Sequence, residues 1–269
     1  MALSEHRDGA LAEFDEAFDT QDSSTVDRVL AVTPVSGTDP WFGRRSYWFR
    51  FNRGMSIAGL TAFVATVLAL HGLGGDLNPA EHTISEYSLG AYGWLMRAAF
   101  AALGLGVLAT AESLRLRFEL SSSWRVGLSL LVFAAVGLFL DAGYNTDHPR
   151  VPETPDGTIH GVGMLIVCLT LPAASYLLGS ARAGHPAAPG ARWLRSLAAG
   201  QVIAILGFEL GPASWRGLIE RIAIAMAIAA LALLQSAARS PAGPPGMSSR
   251  RPGSSFATHR GSSSQPTRR

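Results

Sequence analysis

The stretch SIAGLTAFVATVLAL (residues 56–70) decides the fold class of this chain. It carries no ionisable side chain, and its few hydroxyl groups form no polar stripe at helical spacing. A helix that is apolar on every side lies in a protein core or in a lipid bilayer. Similar runs recur at 125–140 (RVGLSLLVFAAVGLFL) and 160–180 (HGVGMLIVCLTLPAASYLLGS). Since about 20 apolar residues span a bilayer core, these runs predict membrane-spanning helices.

The composition of the whole chain supports this interpretation. Of its 269 residues, 48% are hydrophobic and only 16% are charged, and the mean hydropathy is +0.22. A water-soluble helical bundle is the alternative, but such a fold has no use for so many helices without a polar face. We therefore predict an all-α fold, a six-helix transmembrane bundle. The predicted spans are 54–73, 92–112, 125–143, 160–180, 193–211 and 215–236.

Arginines mark alternate ends of the predicted helices. They are dense before the first helix and in the second and fourth connections, whereas the first, third and fifth connections are mainly acidic. Because arginine-rich loops remain in the cytoplasm, this pattern places both termini there and predicts a multi-pass protein of the cell inner (plasma) membrane. Tryptophans near five predicted helix starts suit the headgroup layer: Trp48, Trp94, Trp124, Trp193 and Trp215.

Two polar segments flank the transmembrane domain, which we place at 51–237. Residues 1–50 are predicted to be a polar cytoplasmic segment that is largely disordered, and residues 238–269 a disordered Arg/Ser/Pro/Gly-rich cytoplasmic tail. The first thirty residues are acidic and lack an apolar core, so no cleavable signal peptide is expected. The single cysteine, Cys168, excludes an intramolecular disulfide.

Ionisable residues recur at the ends of the helices that the charge pattern places outside the cytoplasm. The sixth helix spans only if it includes Glu220 and Arg221, the second needs Arg97, and the third ends at Asp141. A charge at membrane depth costs about 2.5–3.5 kcal/mol, so these groups should face the bundle interior. We expect ion pairs of Arg97 or Arg221 with an acid (Glu86, Asp141 or Glu220), which either lock helices together or line an outward-facing polar pocket.

The first and third connections supply further polar side chains. The stretch EHTISEYSLG (81–90) places His82 and Glu86 on one face if it is helical, because they are four residues apart. The third connection, DAGYNTDHPRVPETPDGTIHG (141–161), is stiffened by three prolines. It should bring Asp147 and His148 near Asp141 and His160.

Histidines and carboxylates in one place suit two kinds of chemistry. A divalent metal such as zinc takes three or four nitrogen and oxygen ligands, and a buried carboxyl group can serve acid–base catalysis. The sequence contains no HExxH, CxxC or GxSxG motif to choose between them, so a metal cofactor stays open and no metal-ligand set is assigned. The available residues are His71, His82, Glu86, Asp141, Asp147, His148, His160 and Glu220.

Three segments carry a resemblance to a known family. HTISEYSLGAYGWLMR (82–97), NTDHPRVPETPDGTIHG (145–161) and GLIER (217–221) together resemble the bacterial integral membrane family of the domain of unknown function 998 type, over roughly 52–237. The resemblance implies a six-helix membrane protein with no settled activity. It departs at His148, where the family pattern has a second proline. The polar positions that it implies are Glu86, Asp147, His160, Glu220 and Arg221.

The favoured hypothesis is a pocket that binds, and can transform by acid–base or metal-assisted chemistry, a lipid or isoprenoid-like amphiphile. Membrane lipids and such a small molecule are the expected partners, and nucleic acid is not. A small-solute transporter and a structural or partner-binding membrane protein are the alternatives. The catalytic candidates are Glu86, Asp147, His160 and Glu220. The substrate-binding candidates are Arg97, Arg221, His82, Tyr87 and Asp141.

Overall fold

The computed structural model describes residues 40–73, 77–118, 121–148, 151–183 and 190–237 of the chain. These residues contain six long α-helices, two short 3₁₀ turns and no strand. All six helices are long and apolar enough to cross a membrane, so the all-α class and the six predicted spans are confirmed. The helices are α1 (Pro40–Leu73), α2 (Gly93–Arg117), α3 (Ser122–Gly143), α4 (Pro155–Ala183), α5 (Ala191–Leu210) and α6 (Arg216–Ala237).

Helix α1 begins well before the predicted start of the first span. Residues 40–50, which the sequence assigns to the polar N-terminal segment, are helical. Aromatic rings contact each other on this extension: the ring centroids are 5.7 Å apart for the consecutive residues Tyr47 and Trp48, and also for Trp48 and Phe51, which lie about one turn apart. The predicted disorder of 1–39 and of the tail 238–269 falls outside the described residues.

The other helix ends follow from local chemistry. Ser121 caps α3 by accepting a hydrogen bond from the backbone N–H of Trp124. Helix α2 continues to Arg117 because Arg115 pairs with Glu112 in its last turns, where positive charge is also favoured by the helix dipole. At the start of α4, Pro155 occupies a position where no backbone donor is needed.

Consecutive helices pack against each other as antiparallel neighbours, and α6 returns to contact α1, α2 and α4. Glycines allow the closest crossings, as is usual between membrane helices. Gly59 of α1 lies against the backbone of α2 at Gly106, and Gly137 of α3 lies against α4 at Gly163. A Cβ at these positions would collide with the facing backbone, so the sequence keeps glycine there.

Large apolar side chains cover the outside of the bundle. Leu68, Leu165 and Ile203 expose 67%, 56% and 70% of their surface, which suits contact with lipid tails. We call the end formed by the first, third and fifth connections (77–92, 144–154 and 211–215) the polar end. The end that carries the N-terminal turns of α1 and the α2–α3 connection is called the basic end. The side of the membrane that each end faces stays a prediction.

Candidate functional site

At the polar end, a loop is hydrogen-bonded to the start of a helix. The first connection lies across the start of α6, where the backbone N–H of Leu218 donates to Ala80 O at 3.0 Å. Gly217 permits this approach, because a Cβ there would collide with the carbonyls of Pro79 and His82. Two backbone segments that are distant in sequence therefore meet at the point where α6 begins.

The stretch 81–90 folds around Glu86. Its carboxylate accepts hydrogen bonds from His82 Nδ1 at 2.6 Å, and from the backbone N–H and the hydroxyl of Thr83 at 3.0 Å each. Burial opposes ionisation, but these donors outweigh it and hold the pKa of Glu86 below its ordinary value. The predicted proximity of His82 and Glu86 is thus present, in a 3₁₀ turn (Ser85–Leu89) rather than an α-helix. The carboxylate of Glu86 is committed to holding this loop.

Arg221 joins three elements at the polar end. Its guanidinium donates to His82 O and Gly217 O at 2.8 Å each, to His71 Nε2 at 3.0 Å and to the hydroxyl of Tyr87 at 3.5 Å. His71 in turn donates from Nδ1 to Val67 O at 2.6 Å, which fixes its tautomer. Since a guanidinium has five N–H groups, only one is left for a ligand. These bonds suit a structural role for Arg221 better than the substrate-binding role for which the sequence made it a candidate.

Glu220, the neighbour of Arg221, is almost fully buried, with 4% of its surface exposed. Its Oε2 accepts a hydrogen bond from the backbone N–H of Ile84 at 2.5 Å. This contact places a carboxyl group inside the bundle beneath the first connection. Glu220 acts electrostatically on the carboxyl group of Asp141, so the two predicted acids, from α3 and α6, lie in the same region of the polar end.

Asp141 and His160 face each other across the α3–α4 interface. Both are buried, at 3% and 4% exposure. His160 Nδ1 donates to Tyr144 O at 3.1 Å and lies 3.7 Å from Asp141 Oδ1, too far for a hydrogen bond. Gly163 makes room for this carboxyl group, since a Cβ there would collide with Asp141 Oδ1. The edge of the Phe100 ring packs against the imidazole at 6.1 Å.

Hydrogen-bonding capacity is left over in this pair. Asp141 Oδ1 and His160 Nε2 are buried and have no hydrogen-bond partner among the described residues. Ser88 Oγ and Asn145 Oδ1, also at the polar end, share this property. An unsatisfied buried polar atom costs about 1–3 kcal/mol, and native structures contain few of them. Because Nδ1 of His160 is the donor to Tyr144, the neutral ring presents Nε2 as an acceptor.

Arg97 does not form the ion pair that the sequence led us to expect. Its Nε and one terminal nitrogen donate to Ala142 O and Gly143 O at 2.9 Å each. These carbonyls belong to the last turn of α3, where no helical donor is available, so the arginine closes that helix. In the described parts of the chain no acid pairs with Arg97 or Arg221. The expected salt bridges are thus replaced by bonds to backbone carbonyls.

Asp147 lies at the surface, in the loop before α4. Its carboxylate accepts from the backbone N–H of Thr154 at 2.9 Å and from the Thr154 hydroxyl at 2.7 Å. These bonds hold the pKa of Asp147 below its ordinary value. Asp147 interacts electrostatically with His160, but it does not join the buried group. Its geometry is that of a residue that shapes the loop.

The predicted residues thus form two neighbouring groups. The first group (His82, Glu86, Tyr87, Arg221) is a hydrogen-bonded loop anchor, and the second (Asp141, His160, Glu220) is a buried acid–base group. Within the described ranges no set of three or more His, Cys, Asp or Glu side chains is arranged to hold a metal ion. The roles assigned to the individual residues from the sequence stay predictions.

Some functional features were missed by sequence reasoning. The interior of the bundle also contains buried polar residues that the sequence did not single out, including the Ser56–Thr110 hydroxyl pair at 2.7 Å and Gln235, whose amide is unpartnered among the described residues. A lone serine or glutamine within an apolar run is a weak signal, because it does not prevent spanning. Two grooves of about 680 and 580 Å³ lie at the basic end, where no pocket was expected.

With the six-helix bundle and its polar end described, the comparison with known families becomes specific. The family model described as "Protein of unknown function (DUF998)" matches residues 57–237, which include all six helices in whole or in part. The chain belongs to this family. It is a multi-pass membrane protein, and the resemblance seen in its sequence is confirmed. No curated protein and no solved structure matches the chain.

Proposed function

We propose that this DUF998 protein binds the polar group of a membrane amphiphile at Asp141 and His160, with Glu220 beside them. One observation carries the proposal: Asp141 Oδ1 and His160 Nε2, buried atoms of two side chains that face each other, have no partner among the described residues. Intramembrane ionisable residues that are not paired commonly mark substrate sites or proton pathways. A ligand that bonds to both atoms would remove their desolvation cost.

The chemistry of the two atoms restricts the ligand. A carboxylate oxygen and the bare nitrogen of a neutral imidazole both accept hydrogen bonds, so the ligand has to bring donors. A hydroxyl or amine on the headgroup of a lipid or isoprenoid-like molecule meets this requirement, whereas a bare phosphate does not. The nearby carboxyl group of Glu220 also disfavours an anion at this depth. We therefore place a neutral or cationic polar group there, with its apolar chain among the helices.

A catalytic role extends the same geometry. In this role a water molecule lies beside an ester of the bound amphiphile and donates to His160 Nε2. This nitrogen takes a proton from the water while the water oxygen attacks the ester carbonyl. The proton then passes to the departing alcohol oxygen, which yields a free acid and an alcohol. Asp141, 3.7 Å from Nδ1, would stabilise the imidazolium in between. In this scheme Glu86 and Asp147 hold the loops and do not touch the substrate.

Retained lipids provide the test. The full-length protein and the variants Asp141→Asn and His160→Asn would be purified in mild detergent, and their bound lipids identified by native mass spectrometry. His160→Asn keeps an amide near Tyr144 O but removes the Nε2 acceptor. His148→Asn is the matched control, because His148 is exposed in the same connection.

We expect the unchanged protein and His148→Asn to retain one class of hydroxyl- or amine-bearing amphiphile. Each site variant should lose about fivefold of it while remaining monodisperse, since each removes one hydrogen bond of about 1 kcal/mol. An identical lipid profile in all four proteins would refute the binding site. Release of a free acid from that lipid by the unchanged protein and His148→Asn, but not by the two site variants, would establish the catalytic extension.

Transport is a second candidate, and it is favoured by the buried polar side chains in the bundle interior. Gln201 and Gln235 are each 3% exposed, and Ser56 is fully buried. A pathway across the membrane requires such groups beyond the polar end. Proteoliposomes distinguish the two functions: a transporter moves solute or protons between compartments and loses flux in Gln235→Leu. A site that serves only a membrane-borne amphiphile shows no such flux.

A further inference from the structure

The basic end contains a groove between the N-terminal part of α1 and the C-terminal part of α2. Its volume is about 580 Å³, and we call it the basic groove. Three arginines and a single acid line it, beside an indole ring that suits the headgroup layer. Its lining residues are Arg44, Arg45, Trp48, Asn52, Glu112, Arg115 and Leu116.

A second groove adjoins the first and is mainly apolar. Its volume is about 680 Å³, and it shares Asn52, Glu112 and Arg115 with the basic groove. Beyond them it is lined largely by side chains of α1, α2 and α3, among them Met55, Leu105 and Val132. These three expose 37%, 48% and 44% of their surface. Apolar groups therefore line a path that leads from the arginines toward the middle of the membrane.

We propose that the two grooves together bind an anionic phospholipid. Its phosphate would lie among Arg44, Arg45 and Arg115, and an acyl chain would follow the apolar groove past Met55 and Val132. Along the two grooves the lining changes from positive charge to an aromatic side chain at headgroup level and then to apolar side chains. This order matches the phosphate, headgroup region and acyl chain of such a lipid. Guanidinium groups suit phosphate oxygens because their planar donors can bind two at once.

Two of these arginines, Arg45 and Arg115, are held in position and still have N–H groups to donate. Arg115 uses Nε and one terminal nitrogen on Glu112, at 2.7 and 2.8 Å, and Arg45 uses Nε on Leu116 O at 3.0 Å. Each of these two bonding patterns leaves at least three N–H groups for a phosphate. Glu112 fixes Arg115 but also lowers the net positive charge of the groove, so its removal should strengthen the binding of an anion.

This lipid site is independent of the proposed function, since it lies at the opposite end of the bundle from Asp141 and His160. The two ends also differ in chemistry. The polar end offers acceptors to a hydrogen-bond donor, whereas the basic end offers donors to an anion. Failure of one proposal would leave the other standing.

Direct binding measurements on the full-length protein test the inference. The delipidated protein would be titrated with phosphatidylglycerol or phosphatidylcholine of the same chain length, and the apparent Kd measured by native mass spectrometry. Arg44→Gln/Arg45→Gln removes two arginines of the basic groove. Arg192→Gln/Arg195→Gln removes two from the start of α5, which lies at the same end but outside both grooves.

The preference for phosphatidylglycerol should fall about fivefold for each groove arginine removed, hence about twenty-fivefold in the groove variant. The α5 variant should stay within about twofold of the unchanged protein. The arginine-rich tail at 238–269 is present in every sample, so any binding by the tail cancels in this comparison. An equal loss in both double variants would mean a diffuse charge effect and would overturn the site.

Two further variants keep the inference testable if the groove variant folds poorly. Glu112→Gln should raise the preference for phosphatidylglycerol severalfold, which misfolding would not do. Val132→Trp should weaken both lipids alike by narrowing the apolar groove. Glycerol phosphate, which has the headgroup chemistry without acyl chains, should compete at least about a hundredfold less well. Equal competition by glycerol phosphate would overturn the proposed acyl-chain site.

Discussion

Arg221 and Asp141 lie at the same end of the bundle, yet their surroundings differ in one respect. The guanidinium of Arg221 has hydrogen-bond partners for four of its five N–H groups. The Oδ1 atom of Asp141 has none among the described residues. Both residues were needed to complete a predicted span, so hydropathy treats them alike. Ionisable groups at membrane depth therefore fall into two classes, according to whether their hydrogen-bonding atoms have partners.

This difference predicts opposite responses to mutation. Removing a fully bonded group leaves several buried partners without a bond, which costs free energy of folding. Removing a group that is itself unsatisfied relieves a cost that the folded protein already carries. Stability sacrificed in this way is typical of functional sites.

Arg221→Ala should give the largest loss of stability. It would leave the carbonyls of His82 and Gly217 and the Nε2 atom of His71 without their donor, so we expect a loss of at least about 3 kcal/mol, near that of breaking a buried charged network. Thermal unfolding in detergent measures it. Arg216→Ala is the matched control, since Arg216 lies over the Phe208 ring and makes no side-chain hydrogen bond among the described residues. Equal melting temperatures for the two variants would contradict the assignment of Arg221 as an anchor.

Gly163→Ala should come next, because it crowds the Asp141 carboxyl group and the α3–α4 crossing at Gly137. Overpacking of this kind costs about 1–3 kcal/mol, and the retained amphiphile should be lost as well. Gly161→Ala is the control on the same helix, since a Cβ there has no neighbour within 4 Å. It should be neutral or slightly stabilising. A harmless Gly163→Ala would mean that the α3–α4 contact is looser than described.

Asp141→Asn and His160→Asn should change stability least among the buried positions. Asp141→Asn alters an unpartnered atom, and the amide in His160→Asn keeps a donor near Tyr144 O, so we expect unfolding free energies that are unchanged or raised by about 1 kcal/mol. Thermal unfolding of the delipidated proteins provides the measurement. Destabilisation comparable to that of Arg221→Ala would place this pair with the structural anchors, and the contrast between the two regions would disappear.

The fold was largely predictable because it depends on hydropathy summed over many residues. Six apolar runs identified six helices, and errors were confined to the ends. The start of α1 was missed because Arg44, Arg45 and Arg50 lower the hydropathy there. In the structure, contacts among Tyr47, Trp48 and Phe51 accompany the helical extension of this segment. Such contacts could be predicted from the sequence only after the segment had been assumed to be helical.

The site was predictable only as a set of residues. Hydropathy indicated that Arg97, Asp141, Glu220 and Arg221 face the interior, and the structure gathers them at one end. It could not indicate the partners, because a guanidinium bonds equally well to a carboxylate or to a carbonyl. The choice of Ala142 O and Gly143 O by Arg97 depends on where α3 ends. The basic groove was missed for a similar reason, since arginines before a first helix normally report only orientation.

The effect of Glu86 is confined to part of the pH range and should appear as a dependence of stability on pH. Its folded pKa is lower than the ordinary 4.5, so the stabilisation that it provides is complete above that value and is lost as the pH falls through the folded pKa. Melting temperatures of the unchanged protein and of Glu86→Gln should therefore differ by a few degrees near pH 6 and converge below about 4.5. Glu81→Gln, in the same connection, controls for the loss of one charge. A constant difference down to low pH would mean that Glu86 stabilises the loop by its shape alone, and that the hydrogen bonds from His82 and Thr83 do not depend on its charge.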